Sequence, residues 1–560
     1  MTDARGGLLK FTPHVTLTLM AGPVLAGLIG TLIPALGLMG GAPFATLLAW
    51  PGITGAGILS LTTGLAATAL SLATVVLILA ALQGTRILRV VLRLLSPLLS
   101  VPHAAAALGL AFLISPSGWI ARAVSPWATG WTQPPDLLIL NDPAGLALIA
   151  GLVAKEVPFL LLMALAALPQ TDAPRRMLLA QTLGRGQVMA FLTVVLPVLY
   201  SQLRLPVYAV LAYAMTAVDM ALILGPSLPP TLSVQVVDWM LDSSLAHRST
   251  AAAGAVLQLG LVGGAVVLWR GIEHISRLAL RAAAEAGWRG VSLDAYLRPV
   301  AIGAAGLVTA ALIVGLAGLA LWSLAGLWSF PNALPASLSL QTWMRASDGL
   351  MATAGVTLAL AVLATGVALA LVLACLEAEH RYGLTPTSRA LRLLYLPLVI
   401  PQVAFLPGLQ GFALTFGLDG SLMAVAAAHL VFVLPYVFLS LSPSWRAWDV
   451  RVATAGASLG ASDTRILWRL RLPMLLRAIL TAAAVGVAVS VGQYLPTLLI
   501  GGGRVETLTT EAVALSSGGN RRLIGATALL QMALPAVVFA LAVLVPGVVF
   551  RHRRGMGLAV

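Results

Sequence analysis

Charged residues are scarce in this 560-residue chain: Asp, Glu, Lys and Arg make up 9% of it, whereas 59% is hydrophobic. An ordinary soluble protein carries roughly a quarter charged residues. So few charges cannot cover a soluble globule of this length, which argues against a soluble multidomain enzyme. The 33 basic residues outnumber the 19 acidic ones, giving a net charge of +14. In a membrane protein such an excess marks cytoplasmic loops, so we expect no nucleic-acid partner.

Lysine and cysteine are almost absent. The two lysines, Lys10 and Lys155, are followed by Phe11 and Glu156, so a phosphate-binding loop of the form GxxxxGK[ST] is impossible. The single cysteine, Cys375, lies in an apolar run and excludes both a disulfide framework and a thiolate metal cluster. We therefore expect the chain to bind no nucleotide, metal or other cofactor by itself.

Long apolar stretches are what the sequence has in abundance. A helix needs about 20 apolar residues to cross a bilayer, and twelve such stretches predict an all-α polytopic membrane protein embedded in the lipid bilayer. The first is too long for a cleaved signal peptide and is interpreted as a retained helix. The stretches are 15–40, 57–82, 96–115, 143–168, 199–222, 250–269, 299–323, 350–375, 392–416, 422–442, 476–500 and 523–549.

The basic residues predict the orientation of these helices. With the N-terminus inside, 25 basic residues fall on the cytoplasmic side and six on the other. Basic residues favour the cytoplasmic side, and an even number of spans returns the chain to it. We therefore expect both termini in the cytoplasm. The cytoplasmic set includes Arg5, Lys10, Arg185, Arg289, Arg389, Arg392, Arg471, Arg551, Arg553 and Arg554.

The two halves of the chain repeat one another. Leu183-Gly184 precedes Leu196-Pro197 as Leu459-Gly460 precedes Leu472-Pro473, at a constant offset of 276 residues. A second pair, Arg93 to Pro102 and Arg392 to Pro401, is offset by 299. Six helices in each half predict two repeats of the same orientation. The predicted domains are a permease-like unit at 1–269, a polar cytoplasmic linker at 270–298 and a second unit at 299–560.

Each half carries one short polar loop before a membrane helix, 175–199 and 451–475. The spacing of a small-residue segment, a Gly, and a hydrophobic-x-Leu-Pro group resembles the EAA loop of bacterial ABC-importer membrane subunits. Neither loop keeps the acidic residue of the E-A-A triplet, where the chain has Leu178-Leu179-Ala180 and Thr454-Ala455-Gly456. The matching residues are Gly184, Val194, Leu196 and Pro197, and Gly460, Leu470, Leu472 and Pro473.

Two such loops in one chain resemble fused permeases of the ferric-iron and thiamine importer type. The resemblance implies a type I importer-like fold, a bacterial inner-membrane location, and docking of two copies of a cytoplasmic ABC ATPase that binds ATP and Mg. It also implies an extracytoplasmic solute-binding protein. The ATPase-coupling residues that it implies are Ala180, Leu183, Gly184, Val194, Leu196, Pro197, Ala457, Leu459, Gly460, Leu470, Leu472 and Pro473.

Ionisable and polar residues within the spans are candidates for a transport pathway, because burying them in a bilayer is costly. A structural role, such as a buried charge pair at Lys155-Glu156 or a hydrogen-bonded His429, remains the alternative for each. The candidates are Lys155, Glu156, Asp219, His429, Tyr436, Gln493 and Tyr494.

The sequence thus favours a transport subunit over an enzyme. A secondary transporter driven by an ion gradient is the main alternative, since it also often has two parallel six-helix halves. An intramembrane enzyme is remote, because no paired carboxylates or His/Asp cluster stands at a predicted cavity mouth. The transported solute stays open between ferric iron, a thiamine-like cation and other small solutes.

Overall fold

The computed structural model of the chain describes residue 7 and residues 9–38, 40–385, 387, 390 and 393–551. Arg5, Arg389, Arg392, Arg553 and Arg554, which contributed to the predicted orientation, lie outside the described residues. Within the described residues the secondary structure is helical, with one isolated β-bridge between Ala325 and Leu338 and no strand. This confirms the predicted all-α fold class.

The helices of the first half begin with short and long elements in alternation. They are α1 (Thr12–Ala35), α2 (Pro43–Ala49), α3 (Ile53–Leu82), α4 (Arg86–Leu98), α5 (His103–Ile114), α6 (Trp119–Val124), α7 (Leu146–Ala167), α8 (Ala173–Thr182), α9 (Gln187–Ala190), α10 (Leu196–Thr216), α11 (Val218–Leu224), α12 (Leu232–Leu241) and α13 (Ala246–Glu285). A π-helical turn, Phe191–Val195, joins α9 to α10.

The second half follows the same order. Its helices are α14 (Val291–Leu324), α15 (Gln341–Arg345), α16 (Ser347–Tyr382), α17 (Leu396–Val399), α18 (Gln402–Thr415), α19 (Leu422–Arg446), α20 (Val450–Ser458), α21 (Asp463–Ile466), α22 (Leu472–Met474), α23 (Leu476–Val491), α24 (Leu495–Gly501), α25 (Leu508–Ser516) and α26 (Arg521–Val549). A second π-helical turn, Leu467–Arg471, joins α21 to α22.

Ten helical stretches of the described chain are long and apolar enough to cross a membrane, and a bent pair, 463–474 and 476–491, forms an eleventh span. The remaining predicted span, 392–416, differs from the prediction. Pro401 caps α18 and separates it from α17, which leaves a helix of only 14 residues. The sequence equivalent of Pro401 is Pro102, which likewise caps α5. Proline at this position therefore shortens the third helix of both halves.

The repeat is visible in the helix boundaries themselves. Shifting 187–190 and 191–195 of the first half by 276 residues gives the bounds of α21 and of the second π-helical turn. The same shift carries the first residues of α7 and α12 onto those of α19 and α25. The structure thus extends the duplication beyond the Gly and Pro markers of the sequence.

The first long helix of each half packs against the other half. α1 lies against α18, where a Cβ on Gly30 would come within 2.9 Å of the Gly408 carbonyl oxygen. α14 lies against α5, where a Cβ on Gly315 would come within 2.9 Å of the Gly109 carbonyl carbon. Glycine permits such close backbone approach because it has no Cβ. These two crossings hold the halves together.

Candidate functional site

The short helices α8 and α20 end in the same way. Gly184 and Gly460 follow them in the left-handed conformation, with φ of +79° and +78°. Arg185 N–H donates to the Ala180 carbonyl (3.2 Å), and Ala461 N–H donates to the Gly456 carbonyl (3.0 Å). These bonds close a Schellman motif, which favours glycine because positive φ costs it least. The glycines of the predicted coupling loops therefore turn the chain back toward the membrane helix.

A π-helical turn precedes Leu-Pro in both loops. The Leu196 N–H donates to the Phe191 carbonyl, and the Leu472 N–H donates to the Leu467 carbonyl, in each case five residues back. Pro197 and Pro473 have no N–H to donate, so the wider turn occurs where the next regular helical bond is missing. The Leu-Pro signature thus marks the point where the loop enters the long helix.

The tips of both loops expose apolar side chains. Leu183 is 73% exposed and its repeat equivalent Leu459 is 88% exposed. Leu178 and Leu179 on α8 are also exposed, whereas Ala180 is buried against the loop. Exposed apolar residues in such a group are typical of an interaction surface. Of the other predicted coupling residues, the exposed ones are Gly184, Pro197, Ala457 and Gly460, and the half-buried ones are Val194, Leu196, Leu470, Leu472 and Pro473.

The first loop is held by the start of α14. The Asp294 carboxylate accepts hydrogen bonds from the N–H groups of Gln187 (2.6 Å) and Val188 (2.9 Å) at the start of α9. The Gly186 N–H donates to the Arg289 carbonyl (2.9 Å). A Cβ on Gly186 would lie 2.8 Å from Asp294 Oδ2, so glycine lets this segment approach. The predicted linker, 270–298, thus supplies an N-terminal cap to the loop.

The second loop is held differently. Ser462, the repeat equivalent of Gly186, caps α21 with its own side chain. Arg471 is buried and donates to Glu377 on α16 (2.5 Å), which also binds Arg381 (2.6 Å). The Arg471 guanidinium lies 4.3 Å from the ring centre of Trp448. The second loop is therefore fixed within its own half by a buried ion pair.

At the start of α20, exposed Asp449 accepts hydrogen bonds from the side chain and backbone N–H of Arg451, which lower the pKa of its carboxyl. A carboxylate at this position also favours the N-terminus of the helix. The cap fixes where the short helix of the second loop begins.

Several predicted pathway residues meet where the halves face each other. The Glu156 carboxylate interacts electrostatically with Tyr436 from the second half, and Asp219 with Tyr494. Tyr213 shares a hydrogen bond with Asp219 and interacts electrostatically with Glu156 and Tyr436. The His103 ring lies 4.8 Å from the Tyr213 ring, and its Nε2 is 3.8 Å from Glu156. We call His103, Glu156, Tyr213, Asp219, Tyr436 and Tyr494 the interface cluster.

The other three predicted pathway residues lie apart from these contacts. Lys155 is buried, and its Nζ donates to the Val101 carbonyl (2.6 Å). His429 is buried between the hydroxyls of Ser490 (2.8 Å) and Thr497 (2.9 Å). Gln493 is buried, and its carbonyl accepts from Thr497. With both ring nitrogens bonded to hydroxyls, His429 is suited to fixing α19 against its neighbours.

Sequence reasoning missed His103 and Tyr213. The available signal for His103 was its place directly after Pro102, at the start of a helix that the repeat duplicates. Tyr213 lies six residues before Asp219 in an apolar run, and nothing in the pattern distinguishes it. Among the described residues, no group of three or more His, Cys, Asp or Glu side chains could hold a metal ion.

Comparison with known proteins adds a family context. The chain is 33% identical to the inner membrane ABC transporter permease protein YnjC of Escherichia coli over 461 residues, which cover 82% of this chain and 81% of that relative. It is 23% identical over 168 residues to the spermidine/putrescine transport system permease protein PotC of Haemophilus influenzae, covering 30% of this chain and 65% of PotC.

A third similarity is to the molybdenum transport system permease protein ModB of Mycobacterium bovis. The two are 31% identical over 156 residues, which cover 25% of this chain and 55% of ModB. No family model matches the chain. The three relatives share the permease role in their names and differ in the solute named.

Proposed function

The chain belongs to the family of ABC transporter permeases, and we propose that it is the complete membrane-spanning part of an ATP-driven importer, with both permease units fused. It is a transport subunit and not an enzyme. In this proposal a solute-binding protein delivers a small solute on the outer side, and two copies of a separate ATPase drive the halves between inward-open and outward-open states. ATP and Mg bind to the ATPase copies.

The repeated geometry of the two loops carries this proposal. Leu183-Gly184 and Leu459-Gly460 present an exposed leucine and a left-handed turn at equivalent positions. Two equal surfaces suit two copies of one partner better than they suit a single partner. Because the loops lack the acidic residue of the E-A-A triplet, docking would depend on apolar contact and shape more than on a salt bridge.

Charge supports the proposed orientation. The loop end of the molecule carries Arg175, Arg176 and Arg185 in one half and Arg465, Arg469 and Arg471 in the other. Basic residues favour the cytoplasmic side. We therefore infer that the loops and both termini lie in the cytoplasm of the bacterial cell. For the solute, a thiamine-like cation and ferric iron are the two specific candidates.

Substitution at the loop tips tests the proposal. In the purified full chain, Leu183→Ala and Leu459→Ala together should weaken binding of the ATPase subunit of the same transport system about 30-fold per site, since truncating an apolar anchor costs about 2 kcal/mol. Binding is measured by surface plasmon resonance on chain held in nanodiscs, and ATP hydrolysis stimulated by the chain is measured in parallel.

Leu307→Ala is the matched control, because Leu307 on α14 is also 73% exposed but lies within a membrane span. It should bind the ATPase like the unmodified chain. Unchanged ATPase binding and stimulation in the double variant would refute docking at the loops.

A further inference from the structure

The interface cluster joins the two halves of the molecule through polar groups. His103, Glu156, Tyr213 and Asp219 come from α5, α7, α10 and α11 of the first half, whereas Tyr436 and Tyr494 come from the second. Polar groups within a membrane protein are costly unless they are paired or face water or a ligand. A cluster that spans the moving interface therefore requires an explanation beyond packing.

Glu156 is the least satisfied member of the cluster. Its side chain is only 6% exposed, and its nearest charged neighbour is His103 Nε2 at 3.8 Å, beyond hydrogen-bond distance. Among the described residues, no donor makes a hydrogen bond to this carboxylate. By comparison, the buried Glu273 carboxylate accepts hydrogen bonds from Tyr200 (2.8 Å) and Tyr208 (2.9 Å). A buried carboxylate without donors leaves its full charge available to a ligand.

The charges around the cluster favour a cation. Glu156 and Asp219 supply two carboxylates, and Asp238 acts electrostatically on Tyr494. The cation nearest in sequence, Lys155, directs its Nζ to the Val101 carbonyl. An oxyanion would need arginine, lysine or converging N–H groups, whereas carboxylates attract positive charge.

The three tyrosines favour an organic cation over a metal ion. Tyr213, Tyr436 and Tyr494 are each partly exposed within the structure. Aromatic faces attract ammonium and cationic ring systems. His103, Glu156 and Asp219 do not converge as a metal-binding group in the described residues. The His103 side chain is 35% exposed, so the cluster is open on that side.

We propose that the interface cluster is a binding site for a small organic cation, with Glu156 and Asp219 as counter-charges and the tyrosines as aromatic walls. The proposal rests on the importer function proposed above and names its substrate class. A cation held there contacts both halves, so its affinity depends on how the halves are oriented. Release then follows when the halves separate.

Direct binding to the full chain in nanodiscs tests this proposal. Isothermal titration calorimetry would use four probes: thiamine, spermidine, molybdate and ferric citrate. We expect thiamine or spermidine to bind the unmodified chain, and Glu156→Gln and Asp219→Asn each to weaken that binding at least tenfold. Tyr436→Phe should bind nearly as well, because it keeps the aromatic face.

Glu273→Gln is the matched control, since it neutralises another buried glutamate with tyrosine neighbours outside the cluster, and it should leave cation affinity unchanged. Thermal unfolding of each variant separates lost binding from lost folding, and Asp219→Asn serves if Glu156→Gln does not fold. Binding of molybdate or ferric citrate but of neither organic cation would overturn the proposal. So would a cation affinity that both neutralising variants preserve, or failure of both cations to bind.

ATPase binding is measured on the same preparations. If the ATPase docks and no organic cation binds, the substrate class is wrong while the importer function stands. If the ATPase does not dock on the unmodified chain, the importer function itself fails.

Discussion

The hydrogen bonds from the first coupling loop to Asp294 make a sharp prediction. Asp294 on α14 accepts from the N–H groups of Gln187 and Val188, the first residues of the continuous helical segment that runs on into α10. No side chain within the loop replaces this cap, because position 186 is glycine. Asp294→Ala removes both acceptors and the negative charge at the helix N-terminus.

We expect the loss to be about 2 kcal/mol. Removing an N-cap side chain costs about 1 kcal/mol, and hydrogen bonds to a charged acceptor are worth about 1.5–3 kcal/mol each. A change of about 2 kcal/mol corresponds to about a 30-fold larger population of the opened loop. Amide hydrogen exchange reports such local opening, so residues 187–190 should exchange about 30-fold faster in the intact chain.

The second loop provides the matched comparison. Ser462 caps α21 from within the loop, with Oγ 3.4 Å from the Arg465 nitrogen, a long hydrogen bond. Asp294→Ala should leave exchange at residues 463–466 unchanged, and Ser462→Ala should accelerate it only a few-fold. If exchange at 187–190 stayed at its original rate in Asp294→Ala, the linker would not be the cap that orders the first loop.

Three further predictions follow from the fold. Glu377→Gln should lower the free energy of unfolding by about 3 kcal/mol, since it leaves Arg471 buried without a counter-charge; Glu379→Gln, which breaks only a partly exposed pair with Arg446, should cost under about 1 kcal/mol, both by denaturant titration. Gly460→Ala should cost about 1 kcal/mol because its φ is +78°, visible as faster exchange at the end of α20. Gly315→Ala should lower the midpoint of thermal unfolding by forcing α14 from α5, whereas Gly306→Ala, with no atom within 4 Å of an added Cβ, should not; equal midpoints would contradict the crossing.

Much of the fold could be predicted because membrane helices leave a strong trace in sequence. Long apolar runs fixed most spans, and the offset between Gly184 and Gly460 revealed the repeat before any helix was seen. The interrupted span at 392–416 was misjudged for a physical reason. Its hydrophobicity is sufficient, but Pro401 cannot continue the preceding helix, and an apolar count does not register that break.

The site was less predictable, because its contacts join residues far apart in the chain. Glu156 and Tyr494 could be chosen as costly polar groups in spans, but no pattern shows that they approach the same cluster as His103. The Asp294 cap was also hidden, since the sequence shows a polar linker and not its partner 106 residues earlier. The resemblance identified the loops but said nothing of how each is held.

The different anchors of the two loops have a consequence for coupling. Asp294 belongs to α14, the first helix of the second half, so displacement of the first loop acts on the opposite half. α14 in turn packs against α5 at Gly315 and Gly109, and α5 begins at His103 of the interface cluster. Direct contacts therefore lead from the first loop to the cluster. The second loop, tied through Arg471 to α16, has no such crossing, so force applied at the two loops reaches the cluster by unequal routes.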